Sequence, residues 1–204
     1  MHFNNPASNF NTNSLNYMSD EISHRYLALL RGINVGGKNI IKMADLRACF
    51  EAMGFTGVRT YIQSGNVLFS SDELDLSGLT GNIEKRLSAE FDYKSKVVLV
   101  SREHLASVVE NAPADFGSDP AAYRYDVLFL KEPLTPAEAM NSISTRDGVD
   151  SVWKGDNVLY FARLISRAGQ SYLNKIITLP VYKSMTIRNW NTTTRLHDMM
   201  KGGV

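Results

Sequence analysis

The stretch "RGINVGGKN", Arg31 to Asn39, has the look of a phosphate-binding loop. Gly32, four intervening residues, then Gly37 and Lys38 follow the Walker A spacing. The next position is Asn39, where that pattern requires Ser or Thr to hold magnesium. A Walker loop also needs a helix that starts at the lysine and points its amides at the phosphates. Here "NII" follows Lys38, and helical apolar spacing begins only near Met43, so the sequence argues against a Walker nucleotidase. It leaves a glycine turn carrying Arg31 and Lys38 beside an anion.

A second polar motif, "TIRNWNTTTRLHDMM", places Arg188 and Asn189 just ahead of a helix with Leu196, Met199 and Met200 on its apolar face. Asn191 is read as its N-cap, and the unpaired amides of such a helix start favour negative charge. Trp190 is read as a core anchor. A third motif, "QSGN", places Gln63, Ser64, Gly65 and Asn66 at a turn, and Ser64 lacks the preceding glycine of a nucleophile elbow.

Other chemistries find little support. His2, His24, His104 and His197 are isolated from one another and from Cys or acids at metal-ligand spacing, so no metal site is expected and no cofactor is indicated. No carboxylate pair recommends itself for acid–base work, and no catalytic residue can be named. The one cysteine, Cys49, lies among Leu46, Phe50 and Met53 and reads as a buried thiol in a reducing compartment. No apolar run approaches the roughly 18 residues of a membrane span, so no membrane partner is expected.

The net charge of +1 hides an uneven distribution. No acid falls between Glu21 and Asp45 or between Asp156 and Asp198, and these intervals contain Arg31, Lys38 and Arg188. Their coincidence with the polar motifs suggests one basic face for an anionic partner.

The elements that must position these residues read as two similar halves. "YLALL" is a doubly buried strand, "KMADLRACFEAMGF" an amphipathic helix, and "VRTYIQSGNVLFSS" a hairpin. Ile83, Leu87 and Phe91 mark a second helix, and "KVVLV" a closing strand, giving βαββαβ, the ferredoxin-like order. Ser101 is expected to cap a linking helix with Leu105, Val108 and Val109 on its apolar face. "NAPADFGSDPAAY" then separates the halves.

The second half repeats the order. "YDVLFL" opens it, Thr135, Pro136 and Glu138 form a capping box, and "VDSVWKGDNVLYFA" aligns with the first hairpin without a gap. Leu173 and Ile177 are matched to Ile83 and Leu87. The expected fold is therefore α+β: a tail over 1–23, a ferredoxin-like subdomain with linking helix over 24–112, and a second α+β subdomain over 113–204 that ends in a helix. The Asn- and Ser-rich tail is expected to be disordered, with Met18 an alternative translation start. The third strand of an RNA-recognition motif presents stacked aromatics, whereas "NVLFSS" offers Phe69 alone.

Together "YLALLRGINVGGKN", "MADLRACFEAMGF", "VRTYIQSGNVLFSS" and "TIRNWNTTTRL" resemble the bacterial family catalogued as domain of unknown function 1697. The resemblance spans about Tyr26 to Met200. It implies ferredoxin-like subdomains in a cytoplasmic bacterial protein, and no activity. Its motif positions fall on Arg31, Gly32, Asn34, Gly36, Gly37 and Lys38, on Gln63, Ser64, Gly65 and Asn66, and on Arg188, Asn189, Trp190, Asn191 and Thr192.

The expected ligand set is Arg31, Asn34, Gly36, Gly37, Lys38, Gln63, Ser64, Asn66, Arg188, Asn189, Asn191 and Thr192, around a phosphate-bearing ligand, either nucleotide or nucleic acid. The alternatives are an enzyme acting on a small phosphorylated or carboxylated metabolite and a protein-interaction scaffold. The oligomeric state stays open.

Overall fold

The structure is a computed structural model and describes residues 23–202, so the expectations for the N-terminal tail and for Met18 lie outside the described residues. The first half runs β1 (His24–Leu30), α1 (Met43–Ala52), β2 (Thr56–Tyr61), β3 (Asn66–Ser71), α2 (Leu76–Phe91) and β4 (Val97–Ser101). Its strands form an antiparallel sheet in the order β2-β3-β1-β4. The unbroken apolar run of β1 follows from its central place. Tyr26, Ala28 and Leu30 face α1 and α2, while Leu27 and Leu29 face the opposite layer.

After α3 (Arg102–Glu110), capped by Ser101, the second half runs β5 (Tyr123–Leu130), α4 (Pro136–Ser142), β6 (Asp150–Lys154) and β7 (Val158–Leu164). It continues through a 3-10 segment to α5 (Leu173–Ile176), a second 3-10 segment, β8 (Met185–Asn189) and α6 (Trp190–Lys201). The second sheet is also antiparallel, in the order β6-β7-β5-β8, which is the order of the first with four added to every strand number. The capping box at α4 forms as read: Thr135 accepts from the Glu138 amide, and Glu138 reaches back to the Thr135 amide.

The second half departs from the expected order in one helix. The helix assigned around Leu173 and Ile177 shrinks to the four residues of α5, and Ile177 is exposed. Leu173 and Ile176 fill the core instead, three residues apart. Gly169 and Pro180 bracket the segment, and 3-10 turns replace the long helix on either side.

A middle apolar layer joins the halves. Leu27, Leu29, Leu68, Val98 and Val100 from the first sheet meet Val127, Phe129, Val158 and Tyr160 from the second, with Leu105 and Val108 of α3 and Leu196 and Met200 of α6. Tyr160 also serves a polar need in this layer. Its hydroxyl donates to the Val108 carbonyl at 2.7 Å, one of the last-turn carbonyls of α3 that has no helical partner. Burial, with a smaller contribution from Asp156, pushes the phenol up to about 12, so it remains a donor at any physiological pH. Removing it in Tyr160→Phe should leave that carbonyl unpaired and lower unfolding free energy by about 1–3 kcal/mol in urea titrations.

His197 lies in α6 with its Nε2 buried and unpartnered. Burial first, then Lys201, lowers its pKa, while Asp198 and Glu110 oppose the shift. In the unfolded chain the imidazole takes its proton near the ordinary value, so the unfolded state binds more protons below about 6.5. Stability should therefore fall as pH drops from that value toward the folded one. In His197→Leu the acid-side slope of unfolding free energy against pH should be shallower than in the parent.

Candidate functional site

Two of the three polar motifs meet at one side chain, and the glycine loop packs beside it. Arg188, on β8, crosses from the second sheet to the first and is only 7% exposed. Its Nε donates to Asn66 Oδ1 at 2.6 Å. Nη1 donates to Thr186 Oγ1 and to the Ile187 carbonyl, both at 2.9 Å. Nη2 donates to the carbonyls of Leu30 at 2.8 Å, Ser64 at 2.9 Å and Gly65 at 3.3 Å. No carboxylate lies within ion-pairing distance of it among the described residues. Burial pushes its pKa down to about 10, which still leaves it cationic at neutral pH.

This guanidinium is surrounded by protein acceptors and has no face left for a ligand. Asn66 is fully buried and holds the turn around it, donating through Nδ2 to the Tyr61 carbonyl and to Ser64 Oγ. Gly65 is required at that turn. Its φ is +75°, and a Cβ there would lie 2.8 Å from both Ile33 Cδ1 and Leu30 Cβ.

The glycine loop packs against the same junction. Asn34, in the left-handed region at φ 54°, donates through Nδ2 to the carbonyls of Ile41 at 3.0 Å and Gln63 at 2.9 Å. Its Oδ1 accepts from the Ile41 amide at 2.8 Å. Asn39 Nδ2 bonds the Gly32 carbonyl, and the Lys38 amide bonds the Val35 carbonyl across the tip formed by Gly36 and Gly37. Ile33 and Ile41 anchor the base in the core, while Val35 and Ile40 stand 67% and 75% exposed with Lys38 beside them. The loop is thus a braced finger. The Gln63 side chain is exposed next to it, and Arg31 lies over the Tyr182 ring, 4.3 Å from its centroid. Because α1 starts only at Met43, no helix N-terminus addresses Lys38.

The third motif divides at Arg188. The N-cap of α6 is Asn189, not Asn191: β8 runs to Asn189, whose Oδ1 accepts from the Asn191 amide while Nδ2 donates to the Tyr125 carbonyl. The cap therefore falls two residues earlier than the sequence suggests. Thr193 and Thr194 bond back to the carbonyls of Asn189 and Trp190. Thr192 is half-buried, and the Asn191 side chain is exposed. Asn189 and Asn191 line a separate cavity whose walls come entirely from the second half, with Tyr123, Arg124 and Arg163 as polar and aromatic members. Tyr123, Arg124 and Arg163 are cavity residues that the sequence motifs do not include. The available signal was "YRY" at the start of β5, where alternation sends the two tyrosines to one face and the arginine to the other.

The chain is a mixed α+β protein of two like four-stranded antiparallel sheets joined through a buried arginine. It belongs to the family described as protein of unknown function DUF1697, whose model matches residues 24–160. It is similar to the solved structure of a conserved bacterial protein from Streptococcus pneumoniae, with 30% identity and a TM-score of 0.76 over 87% of this chain and 99% of that one. A search of the curated proteins finds no match.

The clamp makes a clear energetic prediction. Arg188→Met should strand the Asn66 oxygen and several buried carbonyls, lowering unfolding free energy by roughly 3 kcal/mol or more in urea titrations. Arg188→Lys should recover little of this, because an ammonium cannot reproduce the planar fork that reaches both halves.

Proposed function

We propose that the chain binds a phosphate-bearing polymer, a nucleic acid, through the finger of residues 31–42, with two ferredoxin-like halves, 24–112 and 113–204, serving as its rigid mount. The ferredoxin-like reading draws on the shared strand order, in which a strand from each hairpin inserts between two others. The observation that carries the functional reading is the finger itself: braced internally by Asn34 and Asn39, it presents Lys38, Val35 and Ile40 to solvent in an interval without acids.

Cations beside exposed apolar side chains suit a nucleic acid, whose phosphates take the charge while apolar wedges contact bases. In this reading Arg31, Lys38, Lys42 and Gln63 touch the ligand, together with the amides of Gly36 and Gly37. Arg188, Asn34, Ser64 and Asn66 position them. Exposure of Val35, Ile40 and Ile62 on neighbouring loops favours a second reading, a docking surface for another protein. The metabolite-enzyme alternative gains less, since no finger residue lines the cavities of about 470 Å³ and 560 Å³.

Fluorescence anisotropy with labelled single-stranded and duplex oligonucleotides, titrated with KCl, tests this directly. Affinity should fall linearly on a log–log plot, and Lys38→Ala should make the slope shallower by about 1. Absent or salt-insensitive binding removes the nucleic-acid reading and leaves the protein-docking one.

A further inference from the structure

We infer a second ligand site at the far end of the second sheet, built for a small molecule that joins an aromatic ring to a phosphate, the chemistry of a nucleoside monophosphate. It is independent of the finger. Arg31 packs on Tyr182, ahead of β8, whereas this site lies around Asn189 to Asn191, at and beyond its end. The cavity measures about 470 Å³, within the range of small-molecule sites.

Two arginines define it. Arg124 on β5 and Arg163 on β7 are direct cross-strand partners, and like charges so placed repel. Two buried acids, Asp126 and Asp150, temper that repulsion, and neither makes a close ion pair with Arg163. Arg163 has no carboxylate within 4.0 Å and no side-chain hydrogen bond among the described residues, and its Nε is buried without a partner. Arg124 has one acid nearby, with its Nε 3.9 Å from Asp126 Oδ1.

The acids near the pair are buried and do not line the cavity. Asp126 is 4% exposed, and its pKa is raised by burial against the opposing pull of Arg124, Arg163 and Asn189. Asp150 stands opposite Arg163 in the β6–β7 register; its Oδ2 accepts from the amides of Arg146 and Tyr172, and its Oδ1 is buried without a hydrogen-bond partner. The charged residues lining the cavity are therefore both cationic. A phosphate, with several oxygens, would accept from both guanidinium groups at once and remove the repulsion between them.

Aromatic side chains from the other face of β5 complete the cavity around the edge of that strand that β8 leaves open. Tyr123 is 38% exposed and lies 6.1 Å from Tyr125, centroid to centroid. Trp190 is held edge-on to Phe116 at 5.1 Å and rests on Gly117, where a Cβ would come within 2.3 Å of its Nε1. A planar ring meets a fixed aromatic surface there, and stacking of this kind accepts any nucleobase. Asn191, in the first turn of α6, adds a polar side chain at the edge.

Equilibrium dialysis of the full chain against the adenosine, guanosine, cytidine and uridine monophosphates, with inorganic phosphate as comparison, tests the site. At least one nucleotide should bind saturably and more tightly than phosphate. Arg163→Gln and the exposed Arg124→Gln should each weaken it about tenfold or more, without lowering the thermal unfolding midpoint. Tyr123→Ala should weaken the nucleotide and leave phosphate unaffected, and Arg47→Gln, on the exposed face of α1, should change neither. Failure of all four nucleotides at millimolar concentration, equal binding of inorganic phosphate, or binding indifferent to both arginine substitutions would each overturn the proposal.

Discussion

A guanidinium taken out of water must find a replacement for its hydration shell, and Arg188 finds it in oxygen dipoles rather than in a carboxylate. Those oxygens come from the end of β1, the turn between β2 and β3, and β8 itself. Chain segments more than 120 residues apart are thereby fixed relative to each other around one planar group. The middle apolar layer supplies most of the contact between the sheets. It is non-directional, and the fork of Arg188 adds the orientation that hydrophobic burial lacks.

This constraint separates structural from exposed polarity in the three motifs. Arg188, Asn34, Asn66 and Asn189 are conspicuous in the sequence, and the structure occupies each with internal hydrogen bonds. Lys38, Gln63 and Asn191 keep side chains exposed to solvent. The basic face expected from the two acid-free intervals is accordingly reduced: Arg188 is sealed inside and Arg31 is partly covered by Tyr182, which leaves Lys38 and Lys42 as the exposed cations of the finger.

Much of the architecture was legible because its signals are local. The double burial of β1, the helix from Met43, the hairpin about Ser64 and Gly65, and the capping box at Thr135 each depend on residues within a few positions of one another. The convergence of the motifs was legible as a possibility, since the two acid-free intervals coincide with polar motifs. Its purpose was hidden, because the partners of Arg188 are backbone carbonyls, which every residue carries. The facing of Arg124 and Arg163 depends on strand register across an intervening chain of nearly forty residues. Asn189 and Asn191 are equally good caps by type, and only the end of β8 decides between them.

Solvent exchange of the Arg188 Nε–H, followed by nitrogen-resolved NMR at neutral pH on the full chain, reports on the clamp without altering it. A proton held between Asn66 and buried backbone should exchange as slowly as the core amides of β1, and its shift should stay constant when oligonucleotide or nucleoside monophosphate is added. Exchange as fast as that of the exposed Arg47, or a shift that moves on addition of ligand, would contradict a sealed structural role and return Arg188 to the ligand site.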